Sequence, residues 1–141
     1  MANWRDFEAE APELAARARA FLEAGTHKTL ATLRKDGSPR ISGTEAEIAD
    51  GELQFGSMLN AMKARDLLRD GRFALHSASA SPPDWDGDAK LAGVATEVSR
   101  EEYHLFRADI REVVVISLNE KRTKMVVESW HEGRGTSRLE R

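Results

Sequence analysis

Arg40, Ser57, Lys63 and Arg65 fall around one stretch of this 141-residue chain that could hold an anion. Ser57 closes the run Leu53-Gln54-Phe55-Gly56. Lys63 and Arg65 follow in the first turn of a short basic helix that ends at Asp70-Gly71. A strand feeding a helix start brings free backbone N–H groups and the positive end of the helix dipole to one place. Two cations in that turn suit a phosphate. A plainer reading is equally available from the residues alone. The same charges can be surface groups paired with Asp66 and Asp70, because isolated basic residues are common on protein surfaces.

Other chemistries find less support. The chain has no cysteine, which removes disulfides, thiolate metal sites and thiol nucleophiles. No Gly-x-Ser-x-Gly elbow occurs, and His27, His76, His104 and His131 are scattered without metal-ligand spacing. They read as surface or packing histidines. Asp84, Asp86 and Asp88 alternate as calcium loops do, but the downstream glutamate of that motif is missing.

Composition sets the class. Charged residues make up 32% and hydrophobic residues 40%, an ordinary globular balance, and the length suits one domain over residues 1–141. Net charge is 21 − 24 = −3, which argues against nucleic acid as a partner. No apolar run approaches the ~20 residues that span a bilayer, and the N-terminal layout is not that of a signal peptide. The expectation is a cytoplasmic protein with no membrane association.

The elements that must position the basic residues follow from periodicity. Phe7, Ala11, Leu14, Ala18 and Phe21 recur at helical steps over 7–24, with Pro12 placing the regular start near Ala11 and Gly25 as the stop. From Lys28 the period becomes two. Strands over 28–34 and 39–49 flank Asp36-Gly37, and Asp50-Gly51 turns the chain into a strand over 52–56. Beyond the basic helix come a strand over 72–78, a loop over 79–88 and a strand over 89–99. Ser99 to Glu102 has the form of a capping box and predicts a helix over 100–108. Strands over 111–118 and 123–130 precede a polar, basic tail. Seven strands and three helices, dominated by hairpins, predict a mainly β (α+β) fold with an antiparallel sheet closed into a barrel or sandwich.

Taken in order, these motifs resemble the pyridoxamine 5′-phosphate oxidase-like family of FMN-binding split barrels, including its flavin/deazaflavin-dependent branch. The likeness runs from HKTLATLRKDGSPRIS through AKLAGVATEVS to ESWHEGRGTSRLER. It implies an antiparallel split β-barrel and a homodimeric, FMN-dependent oxidoreductase acting on a small molecule, with the cofactor at the subunit interface. The run that lines the flavin corresponds to Arg40, Ile41, Ser42, Gly43 and Thr44, and the end of the next strand to Gly56 and Ser57. The phosphate-holding dipeptide corresponds to Met62 and Lys63, with Arg65 one turn on making up for the methionine. Asp88 or Lys90 would approach the ring edge. Trp130, with Arg138 or Arg141, would come from the second subunit.

Two departures separate the chain from the oxidase itself. Glu45 stands near the position of the lysine that ends the arginine-led run, and Arg138-Leu139-Glu140-Arg141 lacks the histidine of the substrate-phosphate motif. Pyridoxamine-phosphate oxidase activity is therefore not expected, and the substrate stays open. The alternatives are a reductase using the deazaflavin coenzyme F-420, and a non-catalytic protein that binds flavin or a haem-type ligand.

Overall fold

A computed structural model describes residues 2–141. Two short helices lead, α1 (Trp4–Glu10) and α2 (Pro12–Ala24), followed by β1 (His27–Leu33), β2 (Pro39–Ala49) and β3 (Glu52–Ser57). Helix α3 (Met62–Arg69) comes next, and then β4 (Arg72–His76), β5 (Gly87–Ser99), β6 (His104–Leu118), β7 (Met125–His131) and β8 (Gly135–Glu140). The strands lie in the order β3-β2-β1-β4-β5-β6-β7-β8, and β3 also pairs with β6. That pairing closes six antiparallel strands into a barrel and leaves the β7–β8 hairpin outside it. Closure removes the free edges of the six-stranded part.

The N-terminal helix predicted from Phe7 is two helices. Asn3 caps α1 through a reciprocal capping box with Asp6. Pro12 has no N–H to continue that helix, so the chain breaks at Ala11 and restarts with Pro12 as the first residue of α2. The break lets α1 fold over the core, where Phe7 lies between Trp4 and Trp130 at centroid distances of 5.1 and 5.0 Å.

The helix expected over 100–108 does not form. Residues 104–108 alternate inward and outward in β6, with His104, Phe106 and Ala108 buried. Ser57↔His104 through Gln54↔Arg107 is the ladder that closes the barrel. Local capping signals at Ser99 to Glu102 are worth about 1 kcal/mol, and closure supplies a whole ladder plus burial of Phe106 against Phe55. Tertiary pairing wins. The tail expected to be a polar extension is also a strand, since β8 pairs with β7 from Val126↔Glu140 to His131↔Gly135. This brings the strands among the described residues to eight.

Gly93 marks the point where β5 and β6 shift register. A Cβ there would lie 1.9 Å from the Asp109 carbonyl oxygen, so only glycine permits the two backbones to approach.

Candidate functional site

Strand β2 alternates strictly. Ile41, Gly43, Glu45 and Glu47 are exposed on its outer face, while Thr44 is buried on the inner one. The outer face continues into the loop that links β3 to α3 and into the first turn of α3. Two adjoining clefts lie there and share Met58 and Lys63. The smaller, about 390 Å³, is lined by Arg34, Arg40, Ile41, Ser42, Met62 and Lys63, with Met58 and Ala61. The larger, about 1140 Å³, runs along Gly43, Thr44, Gly56 and Ser57 towards Thr26 and Lys28 at the start of β1.

Lys63 is the cation common to both clefts, and Glu23, Glu45, Glu47 and Glu102 also line the larger one. Its Nζ donates to the Gly43 carbonyl at 2.9 Å, and among the described residues no carboxylate lies within ion-pair distance. Loss of water around the side chain lowers its pKa from the ordinary 10.5. An anion placed beside it would restore the charged form. The start of α3 adds to this field, because its N-cap is Ala61 and no side chain caps the helix.

Arg40 lines the small cleft, but Asp66 holds its guanidinium. Asp66, 1% exposed, accepts from Arg40 Nε at 2.8 Å, from Thr32 Oγ1 at 2.8 Å and from an Arg69 guanidinium nitrogen at 3.0 Å. Burial alone would raise this carboxyl; the side-chain hydrogen bonds from Arg40, Thr32 and Arg69 outweigh it and leave the pKa below 3.8. The alternative in which the basic residues pair with helix acids is thus realised at Arg40, and Lys63 stays outside it. Ser57 is buried and donates its hydroxyl to the Met58 carbonyl at 3.2 Å, so it shapes the loop.

The ring of a flavin needs an apolar slot with a flat wall. At Gly43 the space a Cβ would occupy is open, with no atom within 4 Å, which leaves β2 backbone bare on the outer face. Exposed Ile41 and Met58 flank it, and Tyr103 packs over Gly56 with its ring 3.3 Å from that glycine's Cβ position. A phosphate-bearing planar cofactor therefore fits the donor set: Lys63 and the α3 start for the phosphate, and the Gly43 backbone with its apolar rim for the ring.

The remaining sequence candidates lie elsewhere. Arg65 is exposed on α3 and lines neither cleft. Asp88 and Lys90 sit near the start of β5, where Asp88 accepts from Trp85 Nε1 at 3.3 Å and faces His76 Nε2 at 3.6 Å. Neither reaches the clefts of this chain. Trp130 corrects an expectation outright. It is 0% exposed and packed against Phe7, because inward alternation of β7 directs it into the core, so it offers no face to a ligand. Arg138 lines a separate groove of about 400 Å³ beside the α1–α2 corner, and Arg141 lies at the exposed end of the β7–β8 hairpin.

Lys28, Met58 and Tyr103 also line the larger cleft, outside the residues that the sequence singles out. Lys28 is 7% exposed, and its Nζ donates to the Thr26 and Ala46 carbonyls at 3.3 and 3.1 Å, where the β1–β2 ladder ends. Its signal was present in the sequence: Lys28 shares the inward alternation of Leu30 and Thr32. Met58 and Tyr103 had no such signal, since loops bring them to the cleft.

No protein-family model matches the chain. No curated protein matches it. Solved structures do. PhzG from Burkholderia lata, in complex with tetrahydrophenazine-1-carboxylic acid, is 11% identical with a TM-score of 0.69, over 98% of this chain and 92% of that one. A pyridoxamine 5′-phosphate oxidase-related, FMN-binding protein from Nostoc punctiforme is 13% identical with a TM-score of 0.66, over 100% and 97%. An F-420 reductase is 13% identical with a TM-score of 0.57, over 67% and 94%. At these identities the likeness establishes the shared split-barrel fold. No helix among the described residues is long and apolar enough to cross a membrane.

Proposed function

We propose that this split barrel binds FMN along the outer face of β2 and serves as a flavin-dependent oxidoreductase for a small-molecule substrate. The observation that carries the reading is that Arg40, Ile41, Ser42, Met62 and Lys63 line one cleft, with Gly43, Thr44, Gly56 and Ser57 lining the cleft that adjoins it. Lys63 and the uncapped α3 start hold the phosphate. The bare backbone at Gly43 seats the ring, and Asp66 keeps the Arg40 guanidinium at the cleft wall. When bound, the flavin supplies the hydride or electron transfer. The chain's own residues orient it and keep part of it from water.

The rim of the clefts supports a homodimer. Ile41 is 74% exposed and Met58 81%, with Met62 and Tyr103 half-exposed beside them. An isologous contact across this rim would cover these apolar side chains and close the open side of the cofactor slot. Light scattering would then report twice the chain mass of 15.7 kDa.

Coenzyme F-420 is the second reading. The larger cleft, about 1140 Å³, exceeds the usual range for drug-sized ligands and runs well past the Lys63 end. Absorption spectra of the purified protein titrated with FMN or with F-420 distinguish the two. Lys63→Ala should weaken the true cofactor by ~1.5–3 kcal/mol, the worth of one charge-assisted contact. Wild-type protein that binds neither molecule would overturn the proposal.

A further inference from the structure

By sequence His104 reads as a surface or packing histidine, and its surroundings are more specific than that. It opens β6 opposite Ser57, is 4% exposed, and stacks on Phe106 at an interplanar angle of 24°. Its Nδ1 lies 2.6 Å from Glu97 Oε2 on β5, and its Nε2 lies 3.3 Å from the backbone nitrogen of Asn60. Both contacts fit one protonation state. A carboxylate accepts only, so Nδ1 carries the proton, and a backbone N–H donates only, so Nε2 carries a lone pair.

Asn60 sits in the loop that joins β3 to α3 and holds a left-handed backbone with φ of 64°, uncommon for a residue other than glycine. Two residues later α3 begins, with Lys63 in its first turn. Met58 and Ala61 of the same loop line the small cleft. The imidazole therefore secures the loop that delivers the cationic end of the site. We propose that His104 is a positioning residue for this anion site: its Nε2 lone pair latches the loop by accepting the Asn60 N–H, while Glu97 holds the proton on Nδ1.

The charged groups around His104 act in a defined way. Glu97 on β5 faces Nδ1 and is itself paired with Arg100, at 2.7 Å. The hydrogen bond from His104 contributes most to lowering the Glu97 pKa, which favours the carboxylate that holds Nδ1 as the donor. On β3, Ser57 opposes His104, and from the loop the Asn60 N–H faces Nε2.

The inference uses the phosphate reading of Lys63 for its ligand arm, and the test separates the two. ¹⁵N NMR of the ligand-free protein reports the His104 tautomer directly. The expected result is Nδ1–H with an unprotonated Nε2 bonded to the Asn60 amide; the opposite tautomer would overturn the latch. With FMN as probe, His104→Phe, which keeps the stacking and lacks the acceptor, should bind about five- to tenfold more weakly than wild type, the loss of one net hydrogen bond. His104→Gln offers an acceptor and should recover most of that affinity. A Phe variant that binds as tightly as wild type, or a Gln variant as weak as the Phe variant, refutes the role. Failure of wild-type protein to bind FMN at any pH would remove the flavin reading while the NMR arm still decides the latch.

Discussion

Replacing Asp66 by Asn tests whether the acid beneath α3 is the support of the site. In the wild type this 1% exposed carboxylate joins three elements, through Thr32 on β1, Arg40 on β2 and Arg69 on α3 itself. Breaking a buried ion pair by removing one partner costs ~3–5 kcal/mol, because the other charge is left without compensation. Arg40 and Arg69 keep 18% and 38% of their side chains in contact with solvent and recover part of that loss. Asparagine also retains one acceptor oxygen. The expected cost is therefore ~2–4 kcal/mol, against a total stability of roughly 5–15 kcal/mol. Urea unfolding should show a lower midpoint with an unchanged slope. The acid limb gives a second check. The folded-state pKa of Asp66 lies below 3.8, so its contribution is fully present above the ordinary carboxylate range and disappears as pH falls through the lowered value. Wild type and Asp66→Asn should converge in strong acid. A variant within about 0.5 kcal/mol of wild type, the range of ordinary surface substitutions, would refute the account.

Three further outcomes follow from individual residues. Flavin affinity should fall at alkaline pH, beginning below 10.5, as Lys63 loses its proton from a lowered pKa; isothermal titration across pH 7–10.5 checks this, and Lys63→Ala should flatten the profile. Gly93→Ala should destabilise the fold by more than about 3 kcal/mol or prevent it, since its Cβ would lie 1.9 Å from the Asp109 carbonyl oxygen, and thermal unfolding measures it. Trp130→Phe should lower the melting temperature through the lost indole volume, at ~1–3 kcal/mol, while the absorption spectrum and affinity of bound flavin stay unchanged, because the ring is sealed behind Phe7.

The alternation of Lys28 to Leu33 and of Pro39 to Ala49, with Asp36-Gly37 and Asp50-Gly51 between and after them, was enough to place β1, β2 and β3 in a meander. Local signals of this kind are short-range, and a one-residue slip would turn every buried side chain outwards. The same alternation ran into β6, but a capping pattern at Ser99 to Glu102 obscured it. The ladder that decides in favour of strand comes from β3, about fifty residues earlier in the chain. No local window contains that partner. Pairing of β8 with β7 is illegible in the local sequence for a similar reason, as its residues are almost all exposed and show no apolar period.

The opening stretch divides along the same line. That a strand end, a turn and a basic helix could hold an anion was legible in residues 53–75, because those features are near neighbours in the chain. Which cation is free to do so was not. Arg40 and Lys63 look equivalent as residues, yet folding brings Arg40 onto the buried Asp66 and leaves Lys63 on a backbone carbonyl at the cleft. Trp130 shows the converse, since its place near the end of the chain resembled that of a ligand-facing tryptophan and burial in the core decided otherwise. Sequence by itself determined the kinds of groups available and the strands that carry them. Tertiary structure decided which charges are already satisfied, because a carboxylate removed from water takes whichever guanidinium the barrel brings within reach.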